Sequence, residues 1–301
     1  MAILLMYCAF CTHAASQDYF YNNRYYDQDF LFEVCASTGA MNCLTDLGGR
    51  PGAGKGFIKD LNVPYTKLSG GISAGLVYRY ALGARLEFNA GTVTAADYIL
   101  QNDGSTGGKS RYKRNLHFRS NIYELLLLAE LYPLTILGVT GEKPSRLSPY
   151  LTGGIGVFHF NPQTNLNGIS VDLQPLHTEG QGFSEYPDRY PYKLTAVNFP
   201  VGAGIKYEVS SLCNLRIEIL HRITTTDYLD DVSKRYIDPA LFQKYLSPEN
   251  ASLAIQLHDR QGELDPSHIT APGAIRGRDR KNDAYFTIQF KVGLILGRQL
   301  R

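Results

Sequence analysis

The residues of this sequence that could carry out chemistry are few, and the most suggestive run is rich in glycine. Gly49 to Gly56, which reads GRPGAGKG, nearly matches a loop that binds nucleotide phosphates. A glycine stands where that loop needs a hydroxyl group for magnesium, and the flanking sequence predicts no buried strand before it with a helix after it. We therefore expect a surface loop, with neither a nucleotide nor another cofactor.

Three carboxylates lie close together in the segment TTDYLDDV. Asp227, Asp230 and Asp231 could supply oxygen ligands to a calcium ion. Their spacing matches no EF-hand loop. Acidic residues in loops are commonly solvated, so we expect no bound metal ion from this pattern.

The residue types of a hydrolytic triad also occur near the ends of predicted strands. His159, His177, Ser170 and Asp172 could combine a base, a nucleophile and an acid, but no nucleophile elbow surrounds the serine. The basic run from Lys109 to Arg114 could bind the phosphate of a lipopolysaccharide or another anion, although we interpret it as the base of a loop. Spacing alone brings none of these residues together, so the sequence predicts no catalytic residue.

The composition indicates a folded protein with amphipathic surfaces. The chain has 301 residues, 44% of them hydrophobic, and its net charge of +2 excludes few classes of partner. Its 21 tyrosines and lack of tryptophan suit strands and membrane interfaces. No apolar run reaches the roughly 18 residues that a membrane-spanning helix needs.

The first segment of the chain is expected to be removed. Residues 1–16 have an apolar core followed by small residues, which is typical of a secretory signal peptide, although the usual basic start is missing. A buried first segment is the alternative. Residues 17–29 are polar and rich in tyrosine, and we interpret them as an N-terminal tail. Cys35, Cys43 and Cys213 form no CxxC pair and predict neither a disulfide framework nor a zinc site.

Segments that alternate apolar and polar residues with a period of two organise the rest of the chain. This alternation is the pattern of strands that have one apolar and one polar face. In the clearest example, Phe286, Ile288 and Phe290 lie on one parity, and Gln289 and Lys291 on the other. The predicted strands are Phe30 to Asn42, Leu68 to Tyr80, Ala84 to Thr94, Ser120 to Tyr132, Ser148 to Phe160, Tyr192 to Glu208, Cys213 to Thr225 and Asp283 to Leu296.

The connections between these strands alternate in length. Short links follow the second and sixth strands, a medium link follows the fourth, and long polar segments follow the others. Outer-membrane barrels have short periplasmic turns and long external loops. Residues 30–301 are therefore predicted to form an all-β, eight-stranded antiparallel up-and-down transmembrane β-barrel in the cell outer membrane. Pairing of the first and last strands would close it and remove both free edges.

Charges on the polar parity predict what fills this barrel. Acidic and basic residues occur there in equal numbers, and an unpartnered buried charge is costly, so we expect them to pair and to plug the interior. The predicted network consists of Glu33, Arg79, Arg85, Glu87, Glu124, Glu130, Lys206, Glu208, Arg216, Glu218, Arg222 and Lys291. A lipocalin-like soluble barrel, with its apolar face inside around a ligand, fits the same alternation.

Five blocks of the sequence together resemble the PorG-type family of Bacteroidetes outer-membrane proteins. They are RNLHFRSNIYEL at 114–125, SPYLTGGIGVFHFNP at 148–162, DLQPLHTEGQG at 172–182, NFPVGAGIKYEVS at 198–210 and HRITTTDYLDDVSKRYID at 221–238. The resemblance implies an outer-membrane β-barrel that is a component of the type IX protein secretion system, associated with a periplasmic ring of PorK- and PorN-type subunits. The final residues, GRQLR, depart from barrel-assembly signals because they lack a terminal aromatic residue.

A partner is expected either at the periplasmic turns or on the outward loops that carry two of these blocks. The candidate residues are Glu142, Lys143, Arg146, Asp172, Gln174, Glu179, Asp227, Asp230 and Asp231. The favoured hypothesis is a non-enzymatic barrel that anchors secretion machinery among outer-membrane lipids, with no nucleic-acid partner. The alternatives are a lipid- or lipopolysaccharide-modifying enzyme that uses His159 or His177, and a small pore.

Overall fold

The structure, a computed structural model, describes residues 29–48, 63–102, 104–139, 145–268, 270–278 and 281–296. The predicted signal peptide, nearly all of the N-terminal tail, and the glycine-rich segment Gly49 to Gly56 lie outside these residues. Glu142 and Lys143 also lie outside them.

The described strands form one antiparallel sheet of ten strands. A small hairpin of β6 (Pro162–Leu166) and β7 (Ile169–Asp172) extends the sheet at one end, and the remaining eight strands make a closed barrel. The barrel strands are β1 (Phe30–Leu44), β2 (Lys67–Tyr78), β3 (Leu82–Ala96), β4 (His117–Leu131), β5 (Leu147–His159), β8 (Thr195–Glu208), β9 (Cys213–Thr224) and β10 (Ala284–Leu296).

Each barrel strand pairs with the strands before and after it in the chain, and the first and last strands close the ring. β1 pairs with β10 in a register that runs from Phe32 opposite Leu296 to Leu44 opposite Ala284. β3 also pairs with β4, which completes the ring, so the barrel keeps no free edge. The predicted eight-stranded up-and-down barrel is confirmed.

Side chains alternate between the interior and the outer surface along the barrel strands. In β4, Leu125 and Leu127 are 51% and 58% exposed on the outside, whereas Glu124 and Glu130 are buried inside. An apolar outer face around a charged interior is the arrangement of barrels that cross a lipid membrane, and it is the reverse of a lipocalin. The soluble-barrel alternative is therefore wrong, and the protein is a β-barrel of the outer-membrane type.

The two ends of the barrel are connected differently. Residues 79–81 link β2 to β3 and residues 209–212 link β8 to β9, and both turns lie at the end where β1 begins and β10 finishes. Short turns of such barrels face the periplasm, which assigns this end to the periplasmic side. The long connections all lie at the opposite, external end.

The external connections fold into a structure that we call the cap, made of the described residues in 45–66, 97–116, 160–194 and 225–283. Besides the hairpin it contains α1 (Thr106–Arg114), α3 (Ala240–Tyr245) and α4 (Pro248–Leu257), while α2 (Pro133–Ile136) lies in the periplasmic link between β4 and β5. The sequence predicted irregular loops here. No helix among the described residues is long and apolar enough to cross a membrane.

Candidate functional site

Ion pairs fill the middle of the barrel. Arg85 places Nε 2.8 Å from Glu87 and Nη2 2.7 Å from Glu218, and its Nη1 donates to Glu130. Lys291 bridges two of the same acids, with Nζ 2.6 Å from Glu87 and 2.8 Å from Glu218. Two cations thus hold three carboxylates in a connected network that excludes solvent.

A second group of charges lies toward the periplasmic end. Lys206 places Nζ 2.7 Å from Glu33, which also contacts Arg216. Arg216 reaches Glu130 at 2.9 Å and thereby joins this group to the first. The hydroxyl of Tyr132 donates to Glu130 at 2.6 Å, so this carboxylate is held by more than one partner.

A third group lies toward the external end. Arg222 places Nη2 2.6 Å from Glu124 and donates from Nη1 to the hydroxyl of Thr287 at 2.5 Å. Glu124 also accepts a hydrogen bond of 2.7 Å from the hydroxyl of Tyr285, and that hydroxyl accepts one of 2.7 Å from the side-chain amide of Asn198. Because burial demands partners for polar groups, these hydrogen bonds set the orientation of the pair.

The predicted interior residues lie inside the barrel with one exception, Arg79. All the others are at most 4% exposed, whereas the side chain of Arg79 is 64% exposed and pairs with Asp29 at 2.6 Å. The expectation for Arg79 was wrong because β2 ends at Tyr78. Arg79 and Tyr80 then adopt positive φ angles of 47° and 55°, which turn the chain at the periplasmic end.

No open passage is visible through the described part of the barrel. A void beside Arg85 and Arg216 has a volume of about 10 Å³, room for roughly one water molecule. Above the ion pairs, a hydrophobic cluster that includes Met41, Phe118 and Phe158 closes the external mouth. The interior is thus closed at two separate levels.

The cap has a hydrophobic core of its own. Its buried members are Leu173, Leu176, Phe183, Ile237, Phe242, Ala251, Ala254 and Leu257. Phe183 stacks on Tyr245 of α3, with ring centroids 4.4 Å apart. Because the external connections bury apolar side chains against one another, the cap is a packed unit and not a set of independent loops.

Buried ion pairs join distant segments of the cap. Arg114, at the end of α1, places Nε 2.7 Å from Asp97 and donates from Nη1 to the carbonyl of Arg276 at 2.6 Å. Arg276 places Nη1 3.1 Å from Glu179, whose other oxygen accepts from the backbone amide of Lys234 at 2.9 Å. The basic run that begins at Lys109 therefore ends in a buried structural arginine.

Three of the candidate partner-binding residues, Glu179, Asp230 and Asp231, are buried in the cap. Asp231 accepts hydrogen bonds from Thr178 at 2.5 Å and from Tyr192 at 2.8 Å. Asp230 accepts one of 3.0 Å from a backbone amide of the β1–β2 connection. Their oxygens bond within the chain and face no surface, which corrects the expectation that they contact a partner.

Burial changes the acidity of these groups. It raises the pKa of Asp231 to about 6, an effect that the guanidinium of Arg276 opposes. Burial and the nearby Asp46 raise the pKa of Asp230 well above its usual range, and burial next to Asp230 does the same for Asp283. Within the described ranges, no group of three or more His, Cys, Asp or Glu side chains is arranged to hold a metal ion.

The other candidate residues lie at or near the surface. Asp172 ends β7 and is exposed, and Gln174 and Asp227 are partly buried in the cap. Arg146 precedes β5 and is exposed at the periplasmic end. The described candidates are thus divided between opposite ends of the barrel and cannot form one contact surface.

The residues considered for catalysis are not brought together. His159 ends β5 with Nδ1 3.3 Å from the hydroxyl of Thr195, and His177 lies beside the ring of Phe183 with a positive φ of 47°. The hydroxyl of Ser170 donates to a glutamine of the neighbouring hairpin strand at 3.3 Å. The described residues show no hydrogen bond between either histidine and the serine.

Sequence reasoning missed an apolar surface at the periplasmic end, which we call the α2 turn (residues 133–139). Ile136, Leu137 and Val139 are 50%, 73% and 67% exposed there. The run PLTILGV after β4 was the available signal. The polar residues that follow this run give the whole segment the character of a simple connection.

Comparisons with known proteins found similar proteins among solved structures only. No family model matches the chain, and no curated protein matches it. The chain is similar to the crystal structure of Neisserial surface protein A, with 10% identity, a TM-score of 0.37, and coverage of 89% of this chain and 97% of that chain. A major outer membrane protein from Thermus thermophilus is 12% identical, with a TM-score of 0.39 and coverage of 89% and 100%.

A third similar structure is Ail, the attachment invasion locus protein of Yersinia pestis, in complex with the heparin analogue sucrose octasulfate. It is 7% identical, with a TM-score of 0.35 and coverage of 89% of this chain and 97% of that chain. The present chain is a barrel of the outer-membrane type because its strands pair into a closed ring with an apolar exterior and a charged interior.

Proposed function

We propose that this chain is a non-enzymatic outer-membrane barrel that anchors part of a type IX protein secretion system to the membrane. The observation that carries the proposal is the filled interior, where paired charges and the external hydrophobic cluster leave no passage through the described part of the barrel. A barrel of this kind acts through its surfaces. The resemblance of five sequence blocks to PorG-type proteins supports the choice of machinery and of periplasmic ring subunits of the PorK and PorN type as partners.

The periplasmic end offers the surface that best fits such a partner. The α2 turn exposes Leu137 and Val139 in the same link that carries Arg146. The cores of protein interfaces are apolar and depleted in charged residues, with arginine as the exception. Ring subunits in the periplasm would meet this end, whereas the cap faces the exterior.

Affinity purification of the tagged chain from gently solubilised outer membranes, followed by mass spectrometry, tests this proposal. The unaltered chain should recover ring subunits, and Leu137→Asp or Val139→Asp should reduce that recovery. Ile169→Asp is a matched control, because Ile169 is 68% exposed but lies on the external hairpin. It should leave recovery unchanged.

Recovery of the barrel without other secretion subunits would contradict the anchoring role. Loss of partners on changing Asp172, with no effect at the α2 turn, would show that the partner binds the external face instead. Lipid A from a strain that lacks the chain should be unaltered. A changed acylation or phosphorylation pattern that returns to normal with the unaltered chain but not with His159→Ala would favour the enzyme alternative.

A further inference from the structure

A groove crosses the outer surface of the barrel where β1 passes between β10 and β2. Its floor is formed by the small residues Thr38, Gly39 and Ala40, and its sides include Phe290 and Leu68. Its volume is about 590 Å³. The groove is shallow and open along the outer face, so it would cover only one side of a bound molecule.

The groove opens toward lipid and not toward the barrel interior. Its side walls, Ile217, Ile288, Phe290 and Leu68, are 59%, 44%, 43% and 78% exposed on the apolar outer face. A groove in this layer cannot be filled by water or by polar chain, because the hydrocarbon region leaves such groups without hydrogen-bond partners. Its occupant must therefore be an acyl chain or the apolar surface of another membrane protein.

The external end of the groove is polar. Lys67, the first residue of β2, lines this end and is exposed. The hydroxyl of the adjacent Thr66 accepts a hydrogen bond of 3.0 Å from the side-chain amide of Asn42, which leaves its own proton for another acceptor. Lys67 and Thr66 thus border the external end of the apolar groove.

The position of Lys67 coincides with the level of lipid head groups. Lys67 pairs in register with Met41. Measured along the membrane normal, the outward-facing part of β1 from Phe30 to that level spans roughly 25 Å if the strand is tilted by about 40°. Tyr65 lies beside Tyr98 at this height, with ring centroids 6.3 Å apart. Tyrosines commonly mark the membrane interface.

We propose that this groove binds one acyl chain of lipid A, the phosphorylated glycolipid of the outer leaflet, and that Lys67 and Thr66 contact a phosphate of its head group. The leaflet follows from the external position of the long connections. The ligand class follows from the charge at the groove end, because a cation at the membrane surface favours anionic over zwitterionic lipid. This lipid site does not depend on the proposed role in secretion.

Native mass spectrometry of the full chain in a zwitterionic detergent tests the proposal, with lipid A and phosphatidylethanolamine added in equal amounts. Lys67→Glu and Ala40→Phe should each lower the bound lipid A by about fivefold or more, through loss of the cation and filling of the floor. Lys193→Glu and Ala203→Phe are matched controls. Lys193 is exposed two residues before β8, Ala203 is exposed on the outer face of β8, and neither borders the groove.

The controls should retain lipid A at the level of the unaltered chain. Unchanged binding in Lys67→Glu and Ala40→Phe, or equal losses in the control variants, would overturn the proposal. Retention of phosphatidylethanolamine as strongly as lipid A would overturn the assignment to a phosphorylated glycolipid. Heat-dependent gel mobility checks that each variant folds, and Ala40→Leu replaces Ala40→Phe if the larger side chain prevents folding.

Discussion

Replacement of Lys291 by methionine should strongly destabilise the barrel. Lys291 is fully buried, and its Nζ lies 2.6 Å from Glu87 and 2.8 Å from Glu218. Methionine has a similar length and fills most of the same space, so the change removes the charge while leaving little cavity. The two carboxylates would then share Arg85 as their nearest cation, which Glu130 also contacts.

The expected loss follows from the number of partners that remain. Removal of one member of a buried ion pair typically costs about 3–5 kcal/mol, because it leaves an uncompensated charge. Lys291 serves two carboxylates, so we expect a loss near the upper end of that range in the free energy of unfolding. The double variant Lys291→Met with Glu87→Gln removes the excess negative charge and should recover at least part of this loss.

Urea unfolding of the barrel in lipid vesicles, followed by gel mobility and tyrosine fluorescence, measures the effect. Arg79→Met is the matched control, since Arg79 pairs with Asp29 at the same 2.6 Å distance but both side chains are more than half exposed. Exposed pairs of this kind contribute little to stability. Equal shifts of the unfolding midpoint in the two variants, or no shift for Lys291→Met, would refute the reasoning that burial makes the interior pairs essential.

Three further changes test the seam of the barrel and the cap. Gly39→Val should prevent closure of the barrel, because a side chain at this position would collide with the backbone of β10. Gly104→Val is the control, because a side chain there would have nothing within 4 Å, and it should fold normally. Heat-dependent gel mobility measures folding of both variants. Arg114→Met should lower the free energy of opening of the cap, measured by hydrogen exchange, by about 3–5 kcal/mol. Lys109→Met, on the exposed side of α1, should leave the exchange rates unchanged. Folding of the cap raises the pKa of Asp231 from 3.8 to about 6. At pH values between these two numbers, the cap therefore takes up a proton when it folds. Its protection from exchange should therefore increase as the pH falls from about 6 to about 4. Asp231→Asn should reduce this dependence without abolishing it, because the pKa values of Asp230 and Asp283 are also raised.

The barrel strands were predictable because their signal is local. Alternation with a period of two is written into each segment, and the faces of a strand follow from parity without knowledge of its neighbours. The ends of the strands are predicted less accurately from the sequence, as Tyr192 shows. It was predicted to begin a strand, but β8 begins at Thr195, and the ring of Tyr192 stacks on Tyr228 in the cap, with centroids 4.7 Å apart.

The cap was not predictable in the same way, because the partners of its polar residues are far away in the sequence. Asp231 and Arg276 lie 3.6 Å apart across a separation of 45 residues, and a charged residue in a connection resembles a solvated one until its partner is known. Helix caps are one of the local signals that the cap does carry. Ser247 accepts a hydrogen bond from the amide of Asn250 at the start of α4, with Pro248 as the first helical residue.

The two closures of the barrel are different layers that meet at Tyr285, and this bears on how the protein can act. The hydrophobic cluster at the external mouth depends on cap residues such as Leu229 and Val232. The ion pairs of Lys291 and Arg85 lie below it and involve barrel strands only. Loosening the cap would therefore leave the charged interior in place, because no cap residue is needed to neutralise it. A function that required passage would need both layers to open together, whereas a function through the α2 turn and the lipid-facing groove requires neither.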